Sequence, residues 1–143
     1  MWGKAGETIL WPIYRLQKII IRIINSISSR TESTPYFTKM EILKLKEIHS
    51  LLIGVFMFKY KTKKLPTIFE NFFNENNEFH SYPTRGANRL RPPIYKSKIA
   101  TNFIKKTGTT LWNIIDPIIN SKLSLQTFKK HLKKILLANP VAL

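Results

Sequence analysis

Ile48-His49-Ser50-Leu51-Leu52-Ile53-Gly54-Val55-Phe56-Met57-Phe58-Lys59-Tyr60 is the stretch on which the fold turns. At about 100° per residue, Leu51, Leu52, Ile53, Val55, Phe56, Met57 and Phe58 cover most of a helix's circumference, and a helix apolar on nearly all sides belongs inside a core. The helix is predicted to begin near Lys46. It ends in a basic turn, Lys59, Lys61, Lys63 and Lys64, where cations meet the negative end of the helix dipole. The apolar run 51–58 is far shorter than the ~20 residues a membrane-crossing helix needs, so no transmembrane segment is expected. A chain of 143 residues with 43% hydrophobic content suffices for one core.

Toward the N-terminus, Ile13, Leu16, Ile20, Ile23, Ile24 and Ile27 recur at helical steps, predicting a helix over 12–28 with Pro12 in its first turn and this stripe packed inward. Arg15, Lys18 and Arg22 point away from the stripe. A polar loop over 29–34 and a short turn over 36–40 connect the two helices. Toward the C-terminus, Leu65-Pro66 opens a short helix carrying Ile68, Phe69, Phe72 and Phe73, and the polar residues 74–78 mark a boundary between a segment 1–74 and a segment 75–143 that share one unit. Pro83, Gly86, Pro92 and Pro93 exclude a long helix, so 79–108 is expected to hold an irregular or β-hairpin arm, with two short strands as one option over 94–104. Gly108 precedes a helix over 110–120 that Pro117 kinks or ends. Ser124 reads as the N-cap of a last helix with Leu125, Phe128, Leu132, Ile135 and Leu136 on one face and Lys129, Lys130, Lys133 and Lys134 on the other. The fold class is mainly α: a small helical domain with a short arm, its core including Ile20, Ile24, Leu52, Val55, Phe56, Leu111, Trp112, Phe128 and Leu132.

With 24 Lys and Arg against 8 Asp and Glu, the formal charge is +16. Such an excess implies an anionic partner, although a lysine-rich face can also be plain solvated surface. From Phe79 onward twelve basic residues face one acid, Asp116. Cysteine is absent, which removes disulfides, Cys-bearing zinc sites and thiol nucleophiles, and is compatible with an intracellular home, nuclear or cytoplasmic, with no secretion signal expected.

Two-metal polymerases and nucleases need several carboxylates converging on hard cations, and this chain has one aspartate, in a setting that suits the end of a helix. His49, His80 and His131 lack metal-ligand spacing, and five scattered glycines draw no phosphate loop. No cofactor and no metal are expected. What remains is Arg85, Arg89, Arg91, Lys96, Lys98, Lys105 and Lys106 interleaved with Phe79, Tyr82, Tyr95 and Phe103. That mixture suits single-stranded nucleic acid, with cations on phosphates and rings either stacked on bases or packed in the core.

Read in order, the segments resemble the region after the palm of LINE-type (non-long-terminal-repeat) retrotransposon reverse transcriptases. Trp2-Gly3 followed by Leu16-Gln17-Lys18 and Ile21-Arg22-Ile23-Ile24 is similar to the family's opening helix, with W-G and then L-Q-K-x-x-I-R-I-I. Pro35-Tyr36-Phe37, Ile42-Leu43-Lys44-Leu45 and Phe56-Met57-Phe58-Lys59-Tyr60 resemble the next helix pair, followed by Leu65-Pro66 and Phe72-Phe73. His80-Ser81-Tyr82-Pro83-Thr84-Arg85 is close to the family's H-S-Y-N-T-R, and Gly108, Leu111-Trp112-Asn113 and Phe128-Lys129-Lys130-His131-Leu132-Lys133-Lys134 resemble its G-x-x-L-W-N and F-K-x-x-L-K-K. Pro83 stands where the family has Asn, Asp116-Pro117 where it has L-P, and no Tyr-x-Asp-Asp motif or endonuclease segment is present.

The resemblance implies a thumb-like segment 1–74 and a post-thumb basic arm with C-terminal helices. It implies a non-catalytic part of an RNA-directed DNA polymerase that holds template RNA and primer, with RNA and DNA bound mainly through their phosphate backbones. Arg15, Lys18, Arg22, His80, Tyr82, Arg85, Arg89, Arg91, Lys105, Lys106, Lys129, Lys130, Lys133 and Lys134 are the expected contacts. Arg85 can fork onto a phosphate or tie backbone carbonyls, and Trp112 reads as a core anchor rather than a stacking platform. Two other readings stand beside this one: a peripheral membrane protein using the basic helices over 12–28 and 124–137, and a decayed relic with no selective function.

Overall fold

Among the described residues five α-helices follow one another: α1 (Glu7–Ile24), α2 (Thr34–Lys39), α3 (Leu45–Lys61), α4 (Ile104–Ile115) and α5 (Leu125–Ala138). They belong to a computed structural model that describes residues 5–78, 86–87, 89–97, 100, 103–115 and 123–139. Single 3-10 turns at Thr67–Phe69 and Asn76–Glu78 lie between α3 and α4. The molecule is mainly helical, and among the described residues the only β-like pairing is an antiparallel bridge between Glu75 and Leu90.

The quoted stretch lies at the centre. α3 packs against both α4 and α5, and Ile53, Met57 and Phe58 share one cluster with Leu111, Trp112 and Ile115 of α4 and Phe128, Leu132 and Leu136 of α5. Two glycines permit the close approach. At Gly54 a Cβ would run into Cδ2 of Leu132, and at Gly108 it would lie 2.7 Å from Sδ of Met57. Gly108 therefore sits inside α4 and faces α3, whereas the sequence reading placed it ahead of a helix over 110–120. The gain from intimate helix contact outweighs the low helix propensity of glycine. The Phe58 and Phe128 rings stack with centroids 4.3 Å apart, and Trp112 stacks on Phe128 at 6.1 Å. Phe69 and Phe73 cover Phe56 edge-on. Leu52 escapes this enclosure and is 52% exposed, against its expected place in the core.

α1 departs further from expectation. It starts at Glu7, with Pro12 inside the helix, and ends at Ile24. Its packed face is built from Leu10, Tyr14, Gln17 and Ile21, of which Leu10 and Ile21 are buried. The expected core residues Ile20 and Ile24 are more than half exposed. The physical reason is a polar clamp: the Gln17 side chain donates to the Leu43 carbonyl at 2.8 Å and accepts from the Leu45 N–H at 3.2 Å. Two backbone groups at the start of α3 are thereby satisfied, and the rotation of α1 about its axis is fixed with the isoleucine stripe turned away. Near the end of the helix, Asn25 Nδ2 donates to the Ile21 carbonyl at 2.8 Å.

Three helices stop in the same way without glycine. Ser26, Glu41 and Lys63 each adopt φ 52°. The residue after each returns a hydrogen bond to the last helical turn: Ile27 N–H to Arg22 O, Ile42 N–H to Phe37 O and Lys64 N–H to Lys59 O, at 3.1, 2.9 and 2.8 Å. This is the left-handed termination that glycine usually provides. At the other end of α3, the buried Glu47 accepts from the Lys44 N–H at 2.7 Å. Ser124 caps α5 as predicted, accepting from the Thr127 N–H at 3.2 Å.

Candidate nucleic-acid interface

The cap at Ser124 sets the phase of α5. With Phe128, Leu132 and Leu136 wholly buried against α3, Lys130 and Lys134 fall on the opposite arc of the helix and Lys129 and Lys133 along one flank between that arc and the buried face. Lys129, Lys130 and Lys134 are exposed and Lys133 is half-buried, with His131 exposed beside them. Neither α4 nor α5 contains a carboxylate, so no side chain within either helix neutralises these lysines. The described sequence-predicted cations of this helix are thus brought together on one surface.

The arm is held by its backbone. Asn76 N–H donates to Arg89 O at 3.0 Å and Arg91 N–H to Asn74 O at 2.8 Å, on either side of the Glu75–Leu90 bridge. Asn113 of α4 then grips Leu90 from both sides, accepting from its N–H at 3.1 Å and donating to its carbonyl at 2.7 Å. Leu90 itself is buried. Its neighbours Arg89 and Arg91 are exposed, one on each side along the arm. An open groove of about 280 Å³ runs beside Arg91, lined also by Phe72, Asn74, Pro92, Pro93 and Lys105. The Lys105 ammonium lies 4.6 Å from the centroid of the Phe72 ring, a cation–π contact that fixes the charge at the rim of the groove. Lys106, the next residue of α4, is half-buried.

No family model, curated protein or solved structure matches this chain. The geometry of its own residues therefore carries the functional reading.

The cations of α1 form a third group. Arg15 is exposed, and Lys18 sits 4.3 Å from the Tyr14 ring centroid and 5.4 Å from that of Trp11. Arg22 Nε donates to the Thr31 carbonyl at 3.0 Å, which spends part of its guanidinium on the loop after the helix. Burial pushes the Tyr14 hydroxyl above the ordinary tyrosine value, aided by Glu47 and opposed by Lys46. His80, Tyr82 and Arg85, with Phe79, Lys98 and Asp116, lie outside the described residues. Of the aromatic set expected around the arm, Tyr95 and Phe103 meet edge-on at 6.2 Å, with Phe103 more than half exposed.

Asn113, Gln17 and Phe72 were not among the expected site residues, yet each positions a segment that bears cations. Asn113 had a visible signal, its place directly after Trp112 on a helix whose apolar face is filled by Leu111 and Trp112. Among the described residues, no group of three or more His, Asp and Glu side chains could hold a metal ion, and no helix is long and apolar enough to cross a membrane.

Proposed function

We propose that the chain binds nucleic acid through phosphate contacts, as a non-catalytic part of a LINE-type retrotransposon reverse transcriptase that holds template RNA and primer. The observation that supports this most directly is the lysine arc of α5: four cations on one helix face, on an element without a carboxylate. Such a face lowers the free energy of any polyanion laid along it and releases the counterions condensed on that polymer. Arg91 and Lys105 at the rim of the arm groove add a second contact, where Phe72, Pro92 and Pro93 offer flat apolar surface to an unstacked base. On this reading the protein acts in the nucleus or the cytoplasm and selects little by sequence, because phosphates carry none.

The test is the salt dependence of RNA binding. Four neutralised phosphates on a single strand give a log–log slope of about −3 for the lysine arc alone. Replacing Lys129, Lys130, Lys133 and Lys134 together by glutamine should flatten the slope by about that amount, and replacing Arg89 and Arg91 by a smaller one. A slope unchanged by either set removes the proposal. Template-directed primer extension by the purified chain, with magnesium or manganese, would contradict its non-catalytic part.

A further inference from the structure

The groove beside the arm is lined by two cations, Arg91 and Lys105, and by no carboxylate. A larger depression at the end of α3, about 580 Å³, is lined by Glu70 and Glu75 as well as Lys61 and Lys63, and there Glu75 pairs with Lys61 at 2.6 Å. An anion entering that second space meets repulsion along with attraction, whereas the arm groove presents positive charge alone.

Size and wall chemistry narrow the occupant. At about 280 Å³ the groove lies just below the ~300 Å³ at which sites for whole small molecules begin. It has room for one flat ring, with any attached sugar and phosphate left at the rim beside the cations. Pro92, Pro93 and Ile94 supply apolar surface, and Ile94 is 93% exposed. The walls are also fixed in advance. Arg91 N–H donates to the Asn74 carbonyl at 2.8 Å, Asn113 grips Leu90, and the Lys105 ammonium rests over the Phe72 ring. A site already ordered loses little entropy when it is filled.

Asn74 adds the polar group that distinguishes one kind of strand from another. Its side chain is exposed, lines the groove and makes no hydrogen bond among the described residues. A side-chain amide offers a donor and an acceptor side by side. Every nucleobase carries a donor next to an acceptor on its pairing edge, so the amide matches any of the four. It can do so only where a complementary strand does not already occupy that edge, and the apolar wall likewise needs a base whose face has left the stack.

We propose that the arm groove seats one unpaired nucleotide, its base against Pro92, Pro93 and Ile94 with its pairing edge on the Asn74 amide, and its phosphate beside Lys105 and Arg91. The chain then selects single strand over duplex without selecting sequence. This inference rests on the nucleic-acid reading and adds to it what the arm recognises, while the lysine arc of α5 binds either kind of strand.

The experiment measures fluorescence anisotropy of a labelled single-stranded RNA of mixed sequence, and of the duplex formed with its complement, each strand roughly twelve nucleotides long, titrated with the whole chain. Phosphate density alone favours the duplex, so preference for the single strand reports on the groove. The wild type should bind the single strand about fivefold or more tightly than the duplex. Asn74→Ala should weaken single-strand binding about threefold to tenfold, the worth of a hydrogen bond, and leave duplex binding and the melting curve as in the wild type. Lys105→Met, which keeps an apolar stem over Phe72 and removes the charge, should weaken the single strand more than the duplex. Replacing the four α5 lysines by glutamine should weaken both. Three results overturn the proposal: a single strand bound no more tightly than the duplex; a preference that survives both Asn74→Ala and Lys105→Met; or equal loss on both RNAs in Asn74→Ala. Duplex binding that still answers to the α5 lysines, with no preference for the single strand, removes the groove alone and leaves the phosphate reading standing. Absence of binding to either RNA ends both.

Discussion

Replacing Gly54 by alanine puts two effects of opposite sign in competition. Alanine is favoured over glycine inside a helix by ~1 kcal/mol, so on an open face the substitution would stabilise α3. Here the new Cβ would overlap Cδ2 of Leu132, with Cγ of Leu132 at 3.7 Å and Cδ2 of Leu111 at 3.8 Å. Both leucines are fully buried, so Leu132 can yield only by leaving its rotamer or by pushing α5 outward. Overpacking of that kind costs about 1–3 kcal/mol. The expected net is a loss of about 1 kcal/mol, a fall in Tm of roughly 3 °C for a chain of 143 residues. Urea titration followed by far-ultraviolet circular dichroism measures it. Leu132→Ala alone should cost about 2–5 kcal/mol through its cavity. In that background the contact is gone, and Gly54→Ala should turn stabilising by up to ~1 kcal/mol. If Gly54→Ala stabilises the wild type, or if the two substitutions add without coupling, the close approach of α3 and α5 is wrong.

Three further outcomes are expected. Asn113→Ala leaves both backbone groups of the buried Leu90 without their side-chain partner, a loss of about 1–3 kcal/mol; amide exchange at Leu90 should accelerate far more than at Phe128, and equal protection of Leu90 would refute the tether. Lys63→Gly should stabilise by roughly 0.5–1 kcal/mol, because glycine adopts the φ of 52° at that helix end without strain; a destabilised variant on the same urea titration would count against the left-handed termination. Tyr14 binds its proton more tightly in the folded chain than the ordinary value of 10.0. Its contribution to stability is therefore complete below that pH and declines as pH rises through the raised value, so Tyr14→Phe should resist alkaline unfolding better than the wild type; identical alkaline limbs would refute the burial of the hydroxyl.

Periodicity was informative wherever a helix's apolar face also had a partner. Leu111, Trp112, Phe128 and Leu132 could be placed in the core because large side chains at helical spacing on two short helices have little else to pack against than the apolar helix before them. Ile20 and Ile24 obey the same spacing, but spacing identifies an apolar face without identifying what covers it. The decision fell to Gln17, whose two backbone partners lie 26 and 28 residues away, a distance at which local pattern carries no information. Gly108 misled for a related reason, since the propensity argument treats glycine as a breaker while the benefit of its missing side chain lies on another helix. Helix ends at Ser26, Glu41 and Lys63 carried no glycine to announce them. The lysine arc of α5 was legible in full, since cap, apolar face and cations all lie within one element. The arm was not, because its geometry rests on Asn113 meeting Leu90 across 23 residues.

The burial of α1 also bears on cooperativity. Leu10, Ile21 and Phe37 are buried outside the main cluster built on α3, α4 and α5, so the first two helices rest on a small satellite core and the Gln17 clamp. An element held by few apolar contacts opens at a lower free energy than the global transition. Amides of α1 should then exchange through a sub-global opening that leaves α3 protected. Such a foldon could detach, rotate and re-dock without unfolding the rest, so a ligand that captured it in the released state would shift a population already sampled rather than deform the native one.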